Sequence, residues 1–435
     1  MLGRVRRAVA DLIPPEMRLV MMVGSISFIS SLIFSLVGSL APAFQKDLGI
    51  PAQQIGTIMG VYMLSSATSG FLGTLYLDRF DRRKALAVGL TGTFVGLLLT
   101  GLAPNYGALI AARILSGIFA GPSNSLSIAT LVDNIPHERR GRALGTVSGF
   151  QALAQIIGIP AGLEITDLFG TWRAPFLFIA ALQATIAVTV IVNLGPQRKH
   201  LETGASFAIP DRLRLLSRLL TRPMCLLTYG LQMTGVVPLV AITTIMAVFL
   251  VNNLGFPSTD LSVLYLVGGG ANIISARFLV GPSIDRFGAG IVSLASTVLM
   301  TLAILMGYMG FNPGLPLVVV FALFFITSSA RLIVTQTTSM RIPRPEERAG
   351  FQSLSSSIQA AVMGLSALST RYLLGSTPEG RLTGIVPFAI GVIAVGWIYP
   401  FLVYKLDGML AQRDRQAAMA ASAAADTPAP ARHAV

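Results

Sequence analysis

Six charged side chains occupy the seven positions from 78 to 84, and both signs of charge are present. Carboxylates and guanidinium groups this close together form charge-assisted hydrogen bonds, which can hold two segments together and break when they separate. A shorter version returns 207 residues later, as Asp285 and Arg286 between two glycines. The pattern predicts a gate of ion pairs, with candidates Asp78, Arg79, Arg82, Arg83, Asp285 and Arg286. The alternative is that these charges only keep both loops at a membrane surface.

A second group of candidates consists of polar side chains inside long apolar runs. An arginine is costly in hydrocarbon, so Arg113 and Arg331 are expected to face a protein interior or a water-filled cavity. Gln151 and Gln155 are one helical turn apart and are predicted to share a face. The predicted coupling or substrate residues are Arg113, Arg331, Gln151, Gln155, Asn124 and Gln336. Two alternatives stay open: Arg113 could reach the membrane surface, and single polar residues often only join helices.

The elements that must position these residues are membrane-spanning helices. Of the 435 residues, 53% are hydrophobic and only 12% are charged, whereas soluble proteins carry about 25% charged residues. A run of about 20 apolar residues crosses the roughly 30 Å of hydrocarbon in a bilayer. Twelve such spans are predicted, at 19–41, 53–77, 84–102, 106–132, 141–166, 174–194, 223–251, 259–284, 289–309, 314–339, 349–375 and 382–405.

The distribution of basic residues predicts the orientation of these spans. Of the 32 Lys and Arg residues, 25 fall on the side of the N-terminus, four on the opposite side and three within spans. Because basic residues concentrate in cytoplasmic loops, both termini are expected in the cytoplasm, with the chain crossing the inner membrane many times. The net charge of +13 therefore indicates membrane topology rather than binding to nucleic acid.

The chain is predicted to contain an internal repeat of two similar halves. Besides the two charged clusters, the motifs at 136–141 (PHERRG) and 345–350 (PEERAG) repeat at an offset of 209 residues. The predicted units are an amphipathic cytoplasmic segment 1–18, a six-helix bundle 19–194, a cytoplasmic linker 195–222, a second bundle 223–405 and a disordered cytoplasmic tail 406–435. Within the linker, residues 211–222 are expected to form a basic amphipathic helix at the lipid headgroups.

The charged loop resembles the signature G-x-x-x-D-R-x-G-R-R of the major facilitator superfamily. Residues 78–79 and 82–83 match its Asp-Arg and Arg-Arg pairs, whereas Thr74 and Asp81 stand where the signature has glycine. This resemblance covers residues 19–405. It implies an all-α membrane fold with twelve transmembrane helices in two pseudo-symmetric six-helix bundles, which rock to expose a central site to each side of the membrane in turn.

Two further stretches narrow the resemblance within that superfamily. The run from Arg113 to Gly117 resembles the R-x-x-x-G motif of proton-coupled members. Residues 158–176 are similar to the fifth and sixth helices of the twelve-helix drug/proton antiporters and arabinose-efflux-like permeases. Their exporter signature is only partly present, because the proline follows Gly158 by two residues and one terminal glycine is missing.

The expected function is therefore secondary transport. The resemblance implies proton-coupled efflux of drugs or sugars by a monomer whose partners are a small-molecule substrate, protons and the lipid bilayer. The alternative is an importer or exchanger of an organic anion or metabolite, since arginines outnumber carboxylates within the spans. A receptor-like protein without transport is a third possibility. No nucleotide-binding loop, metal cluster or catalytic triad is seen in the sequence, so neither enzyme activity nor a cofactor is expected.

Overall fold

A computed structural model describes residues 14–136, 139–197, 209–310, 314–343 and 347–425, with a helix at each predicted span. In chain order these helices are α1 (Pro15–Ser39), α2 (Ile55–Tyr76), α3 (Arg82–Gly101), α4 (Tyr106–Asn134), α5 (Arg140–Phe169), α6 (Arg173–Asn193), α7 (Pro223–Asn253), α8 (261–287), α9 (289–308), α10 (Leu317–Ser339), α11 (Arg348–Leu373) and α12 (Ile385–Ala425). Except at the end of α12, the boundaries agree with the predicted ones to within a few residues.

The apolar character of these helices is sufficient for a multi-pass membrane protein. Across the described ranges, nine helices are long and apolar enough to cross a membrane by length and composition, with α8 and α9 counted together. Helices α4 and α11 are of similar length but are not in that set, since hydroxyl and amide side chains lower their hydropathy. The count of twelve spans therefore stays a prediction.

A left-handed glycine separates α8 from α9. Gly288 has φ 82° and ψ 161°, a conformation that side chains with a Cβ rarely adopt. It is the last residue of the second charged motif. The glycine of that motif thus makes the turn by which the chain leaves α8 and enters α9.

The two ends of the molecule differ in charge and in elements. The α2–α3, α4–α5, α6–α7, α8–α9 and α10–α11 connections hold most basic residues and define the basic end. The opposite end, called the far end, carries a short helix at Ala41–Leu48 and a two-stranded antiparallel hairpin, β1 (Gly375–Ser376) and β2 (Leu382–Thr383). The hairpin was not predicted from the sequence, because two-residue strands leave no alternating pattern to read.

The helices α1–α6 and α7–α12 form two bundles that contact each other through the pairs α1–α7, α2–α11 and α5–α8. Glycines allow the backbones to approach closely at two of these pairs. A Cβ on Gly56 of α2 would clash with the Ala367 carbonyl of α11, and a Cβ on Gly38 of α1 would lie 3.1 Å from the Thr243 carbonyl of α7. Such contacts depend on small residues because lipid offers no hydrophobic force between helices.

The linker helix (Ile209–Thr221) corrects one expectation. It packs its apolar face on protein rather than on lipid: Leu216 and Leu219 belong to a buried cluster with residues of α7, α10, α11 and α12. Leu215 lies against Gly350 of α11. Beyond its end, Arg222 forms an ion pair with Glu347 at 3.0 Å. The hydrophobic side that looked interfacial in the sequence is thus covered by the second bundle.

The predicted disordered tail also differs from the structure, because α12 continues to Ala425. Leu406 and Leu410 are fully buried, and Arg341 pairs with Asp414 at 2.8 Å. The alanines of this stretch favour helix, so the packed turn at 406–410 can propagate along it. Residues 426–435 and the amphipathic segment predicted at 1–13 lie outside the described residues.

Candidate functional site

The first charged loop is held within its own bundle. Asp78 and Arg79 form a 3-10 turn after α2, and the Asp78 side chain lies outside the described part of the structure. Arg82 is buried and forms an ion pair with Asp133 at the end of α4. Arg83 donates to the Ile191 carbonyl of α6 at 2.6 Å. These contacts join the basic ends of α3, α4 and α6.

Asp81, the residue that departs from the family signature, is the N-cap of α3. Its carboxylate accepts a hydrogen bond from the Arg83 amide at 3.0 Å and a second from the Gln197 amide at 3.1 Å. Gln197 follows α6 and begins the linker, and its side chain also accepts from Asn134 at 2.8 Å. The extra carboxylate therefore caps one helix and attaches the start of the linker to the first bundle.

Among the described residues, the second charged motif has no contacts like those of the first. Asp285 and Arg286 are exposed in the last turn of α8, and the Arg286 guanidinium lies 5.2 Å from the ring centroid of its neighbour Phe287. At the basic end the ion pairs Arg82–Asp133, Arg222–Glu347 and Arg341–Asp414 each have both partners in the same half of the chain. The predicted gate residues thus lie near the basic end.

The far end, by contrast, is closed by contacts between the bundles. Asn252 of α7 donates to the Gln45 side chain of the short helix at 3.0 Å and to the Gly380 carbonyl of the hairpin at 2.8 Å. The neighbouring Asn253 exchanges two hydrogen bonds with the backbone of Leu382, each at 2.9 Å. Asn252 therefore ties three far-end elements from both halves, whereas Asn253 joins only parts of the second half.

Arg113 lies in the interior of the first bundle rather than at the membrane surface. Its side chain is 0% exposed and its guanidinium carbon lies 4.4 Å from the ring centroid of Tyr62 on α2. One nitrogen donates to the Ile33 carbonyl of α1 at 3.2 Å, while the Nε and Nη1 groups have no hydrogen-bond partner among the described residues. A buried cation with spare donors is costly and is a common mark of a functional residue in a membrane.

Gln155 of α5 contacts the turn of α1 that contains Ile33. Its amide donates to the Ser31 hydroxyl at 3.1 Å and to the Ser35 hydroxyl at 3.2 Å. All three side chains are only half-buried, so part of their surface stays accessible. We call Ser31, Ser35 and Gln155 the α1 cluster. Ile33, whose carbonyl accepts from Arg113, lies between Ser31 and Ser35 in the sequence but on the opposite side of α1, because two residues turn an α-helix by about 200°.

Gln151 does not share the environment of Gln155. It is exposed, and a π-helical turn at Ala154–Gly158 follows it. The π turn carries an extra residue, which changes the angle between side chains four positions apart. Gln151 therefore lies outside the α1 cluster. Asn124 is half-buried on α4 and Gln336 is exposed on α10, and neither side chain has a hydrogen bond in the described structure.

Arg331 occupies the interior of the second bundle. It donates to the carbonyls of Thr234 on α7 at 2.8 Å and Gly396 on α12 at 3.3 Å, and to the Thr297 hydroxyl of α9 at 3.4 Å. Its guanidinium lies over the ring of Tyr399. These partners come from three helices of a single bundle, so this arginine holds that bundle together.

Sequence reasoning missed three residues of the site: Tyr62, Ser31 and Ser35. Tyr62 is an aromatic residue in an apolar run, and serines in such runs commonly bond their own backbone, as Ser35 does to Ser31 at 2.7 Å. Tyr62 is distinguished only by its contact with Arg113, and the two serines only by their hydrogen bonds with Gln155. Among the described residues, no cluster of three or more His, Cys, Asp or Glu side chains could hold a metal ion.

Curated relatives of the chain are transport and resistance proteins. Multidrug resistance protein 2 of Bacillus subtilis (strain 168) is 25% identical over 269 residues, which cover 60% of this chain and 65% of that protein. A triacylglyceride transporter of Mycolicibacterium hassiacum is 26% identical over 167 residues, 37% of this chain and 31% of the relative. The chain thus matches less than two thirds of the length of either relative.

Three solved structures share the fold. The nucleoside transporter NupG superposes with a TM-score of 0.68 at 12% identity, covering 89% of this chain and 99% of that one. For a bacterial homologue of the human lysosomal transporter Spinster, inward-facing and unoccupied, the TM-score is 0.67 at 14% identity, covering 92% and 98%. The D-xylose–proton symporter superposes with a TM-score of 0.66 at 16% identity, covering 91% of this chain and 96% of that one.

Identities this low establish only the fold. The family follows instead from a match between the sequence and the model of a protein family. Residues 23–367 match the model of the Major Facilitator Superfamily, which is well over half of the chain. The long apolar helices, the two bundles and the charged loops agree with this match. The chain belongs to the Major Facilitator Superfamily, and its long apolar helices are those of a multi-pass membrane protein.

Proposed function

We propose that this transporter exports a small organic solute, a drug or a sugar, in exchange for protons. The basic end would face the cytoplasm of a cell with an inner membrane, with both termini on that side, in line with the excess of basic residues there. The similarity to a multidrug resistance protein supports export. The protein would work as a monomer.

The observation that carries this proposal is that α1 contacts the buried Arg113 on one side and forms the α1 cluster with Gln155 on the other. The cluster supplies neutral donors and acceptors that a solute could bind, and Arg113 supplies a cation that is incompletely paired. A charge in a low-dielectric interior responds strongly to a change of charge nearby. Binding or release of a proton or a solute at the cluster would therefore change the free energy of the contacts among α1, α2 and α4.

Alternating access requires that one end opens while the other closes. Hydrogen bonds between the bundles close the far end. The far end would therefore have to lose the Asn252 contacts when it opens. The gating residues would close the basic end in that opposite conformation: Asp78, Arg79, Arg82, Arg83, Asp285 and Arg286.

Transport into inverted membrane vesicles under an imposed pH gradient tests the coupling. A fluorescent lipophilic cation should accumulate when the vesicle interior is acidic, and a protonophore should abolish the accumulation. Arg113→Gln should lose gradient-driven uptake, whereas Thr185→Ala, a change at an exposed position of α6, should retain it. Solute movement that is indifferent to the gradient would contradict proton coupling.

A second candidate is exchange or import of an organic anion. Within the described spans the fully buried charged side chains are arginines, Arg113 and Arg331, so the interior is electropositive. Carboxylates or organic phosphates would then be preferred to lipophilic cations. Counterflow of a radiolabelled dicarboxylate in vesicles without a pH gradient would support this candidate and exclude drug export as the main activity.

A further inference from the structure

Two helices of the second bundle carry a proline in their interior, Pro238 in α7 and Pro400 in α12. Because a proline has no N–H group, the carbonyl four residues before it loses its helical hydrogen bond. The two carbonyls concerned belong to Thr234 and Gly396. An unbonded backbone carbonyl is costly in a membrane interior, so each of the two needs another donor.

One arginine supplies both of these donors. Nη2 of Arg331 donates to the Thr234 carbonyl at 2.8 Å and to the Gly396 carbonyl at 3.3 Å. The arginine belongs to α10 and is only 1% exposed, so these bonds lie in the interior of the bundle. A single guanidinium therefore replaces the hydrogen bonds that the two prolines remove from α7 and α12.

The level of this arginine divides the buried apolar residues of the second bundle into two clusters. Toward the far end, Val236 of α7 and the buried apolar residues after it belong to a cluster that also includes residues of α1 and α2. Toward the basic end, Leu231 of α7 and those before it belong to the cluster of the linker helix. In α12 the same division falls between Val392 and Tyr399. The two halves of α7 thus pack in different cores.

The half of α7 after Pro238 is the part that closes the far end. Its Thr243 carbonyl lies against Gly38 of α1, and Asn252 bonds the short helix and the hairpin. Fourteen residues of helix separate Pro238 from Asn252, a rise of about 21 Å. A change of about 10° in the bend at Pro238 would therefore displace Asn252 by about 4 Å. Such a displacement is enough to break its hydrogen bonds.

We propose that Arg331 is a positioning residue for alternating access, because it fixes the bend of α7 at Pro238 and so holds the far half of this helix in the closed position. Opening of the far end is then accompanied by loss of the bond between Arg331 and the Thr234 carbonyl. The proposal requires alternating access, but it does not depend on the solute, the direction of transport or the coupling ion of the proposed function.

The test measures thiol labelling of a cysteine introduced at Ala43, a half-buried position of the short helix at the far end. The native Cys225, which is buried, is first replaced by alanine in the full-length protein. Arg331→Met removes the donors but keeps an unbranched side chain. Labelling should become roughly fivefold faster, the equivalent of one hydrogen bond.

Restoring the missing N–H group should rescue this variant. Pro238→Ala, added to Arg331→Met, gives the Thr234 carbonyl a helical partner again and should return the labelling rate close to that of the parent. Pro400→Ala should restore less, because the bond it replaces is the longer one, 3.3 Å against 2.8 Å. A purely structural loss of the arginine would lower the melting temperature without being corrected by either alanine.

Pro122→Ala is the matched control, since it changes a proline inside α4, a helix of the first bundle to which Arg331 has no hydrogen bond. It should leave the labelling of Arg331→Met fast, and equal effects of Pro238→Ala and Pro122→Ala would overturn the proposal. Loss of transport in Arg331→Met with unchanged labelling would also overturn it, because the arginine would then contact the solute. Should Arg331→Met not fold, Arg331→Lys serves in the same comparison, since an ammonium group lacks the planar fork of donors.

Discussion

Arg331 on α10 and Tyr399 on α12 are joined twice in the interior of the second bundle. The guanidinium carbon lies 4.3 Å from the centroid of the Tyr399 ring, and the Tyr399 hydroxyl donates to the backbone carbonyl of Arg331 at 2.6 Å. The ring thus faces the cation while the hydroxyl binds the main chain of the same residue. This geometry makes Arg331 a joint between helices of the second bundle.

A double-mutant cycle tests that joint. Tyr399→Phe keeps the ring and should cost about 1 kcal/mol of stability for the lost hydrogen bond. Tyr399→Leu also removes the ring and should cost about 2 kcal/mol more, the size of a desolvated cation–π contact. Chemical denaturation in mixed micelles measures both. In an Arg331→Met background the difference between the two variants should shrink toward the cost of packing alone; an unchanged difference would refute the cation–π contact.

Asn252 should hold the far end closed. Asn252→Ala removes the hydrogen bonds to Gln45 and Gly380, and each such bond contributes about 1 kcal/mol. The equilibrium should shift several-fold toward a conformation open at the far end. Thiol labelling of a cysteine introduced at Ala43, a half-buried position of the short helix, should become faster in this variant. Asn253→Ala is the matched control, because the hydrogen bonds of Asn253 stay within the second half. Equally faster labelling in Asn253→Ala would show that the contacts of Asn252 between the halves do not hold the far end closed.

Asp81 should control the start of the linker. Asp81→Ala removes the cap of α3 and the bond to the Gln197 amide, and should lower stability by about 1 kcal/mol. Asp81→Asn keeps an acceptor oxygen in place and should behave nearly like the original residue. Hydrogen exchange followed by mass spectrometry should show faster exchange at the Gln197 amide in the alanine variant only. Equal exchange at the Gln197 amide in both variants would mean that Asp81 stabilises the start of α3 but does not hold the linker.

Alanine substitutions of Gln155 and Gln151 should have different effects on transport, although the two residues are one helical turn apart. Gln155→Ala removes the two hydrogen bonds to Ser31 and Ser35. It should raise the KM for transported solute by roughly fivefold, equivalent to about 1 kcal/mol. Gln151→Ala should leave both KM and maximal rate unchanged, because that side chain is exposed and outside the cluster. Similar kinetics for the two variants would argue against the cluster as a binding site.

The sequence by itself determined the helical spans, the two charged loops and the internal repeat. Each of these is a local property: the length of an apolar run, or the recurrence of a short motif, is complete within a few dozen residues. The expectations that were wrong concern surfaces whose partners are remote. The amphipathic linker helix gave no sign that Leu216 and Leu219 would meet the second bundle rather than lipid.

Only the tertiary structure distinguished the two buried arginines. In the sequence Arg113 and Arg331 look alike, each a single cation among apolar and small residues. Arg113 bonds the Ile33 carbonyl across 80 residues and leaves two donor groups without a partner among the described residues, whereas Arg331 bonds groups of three other helices and leaves only one. The partners of a buried charge lie on helices distant in the chain. Their identity depends on how the helices pack, and no local pattern encodes it.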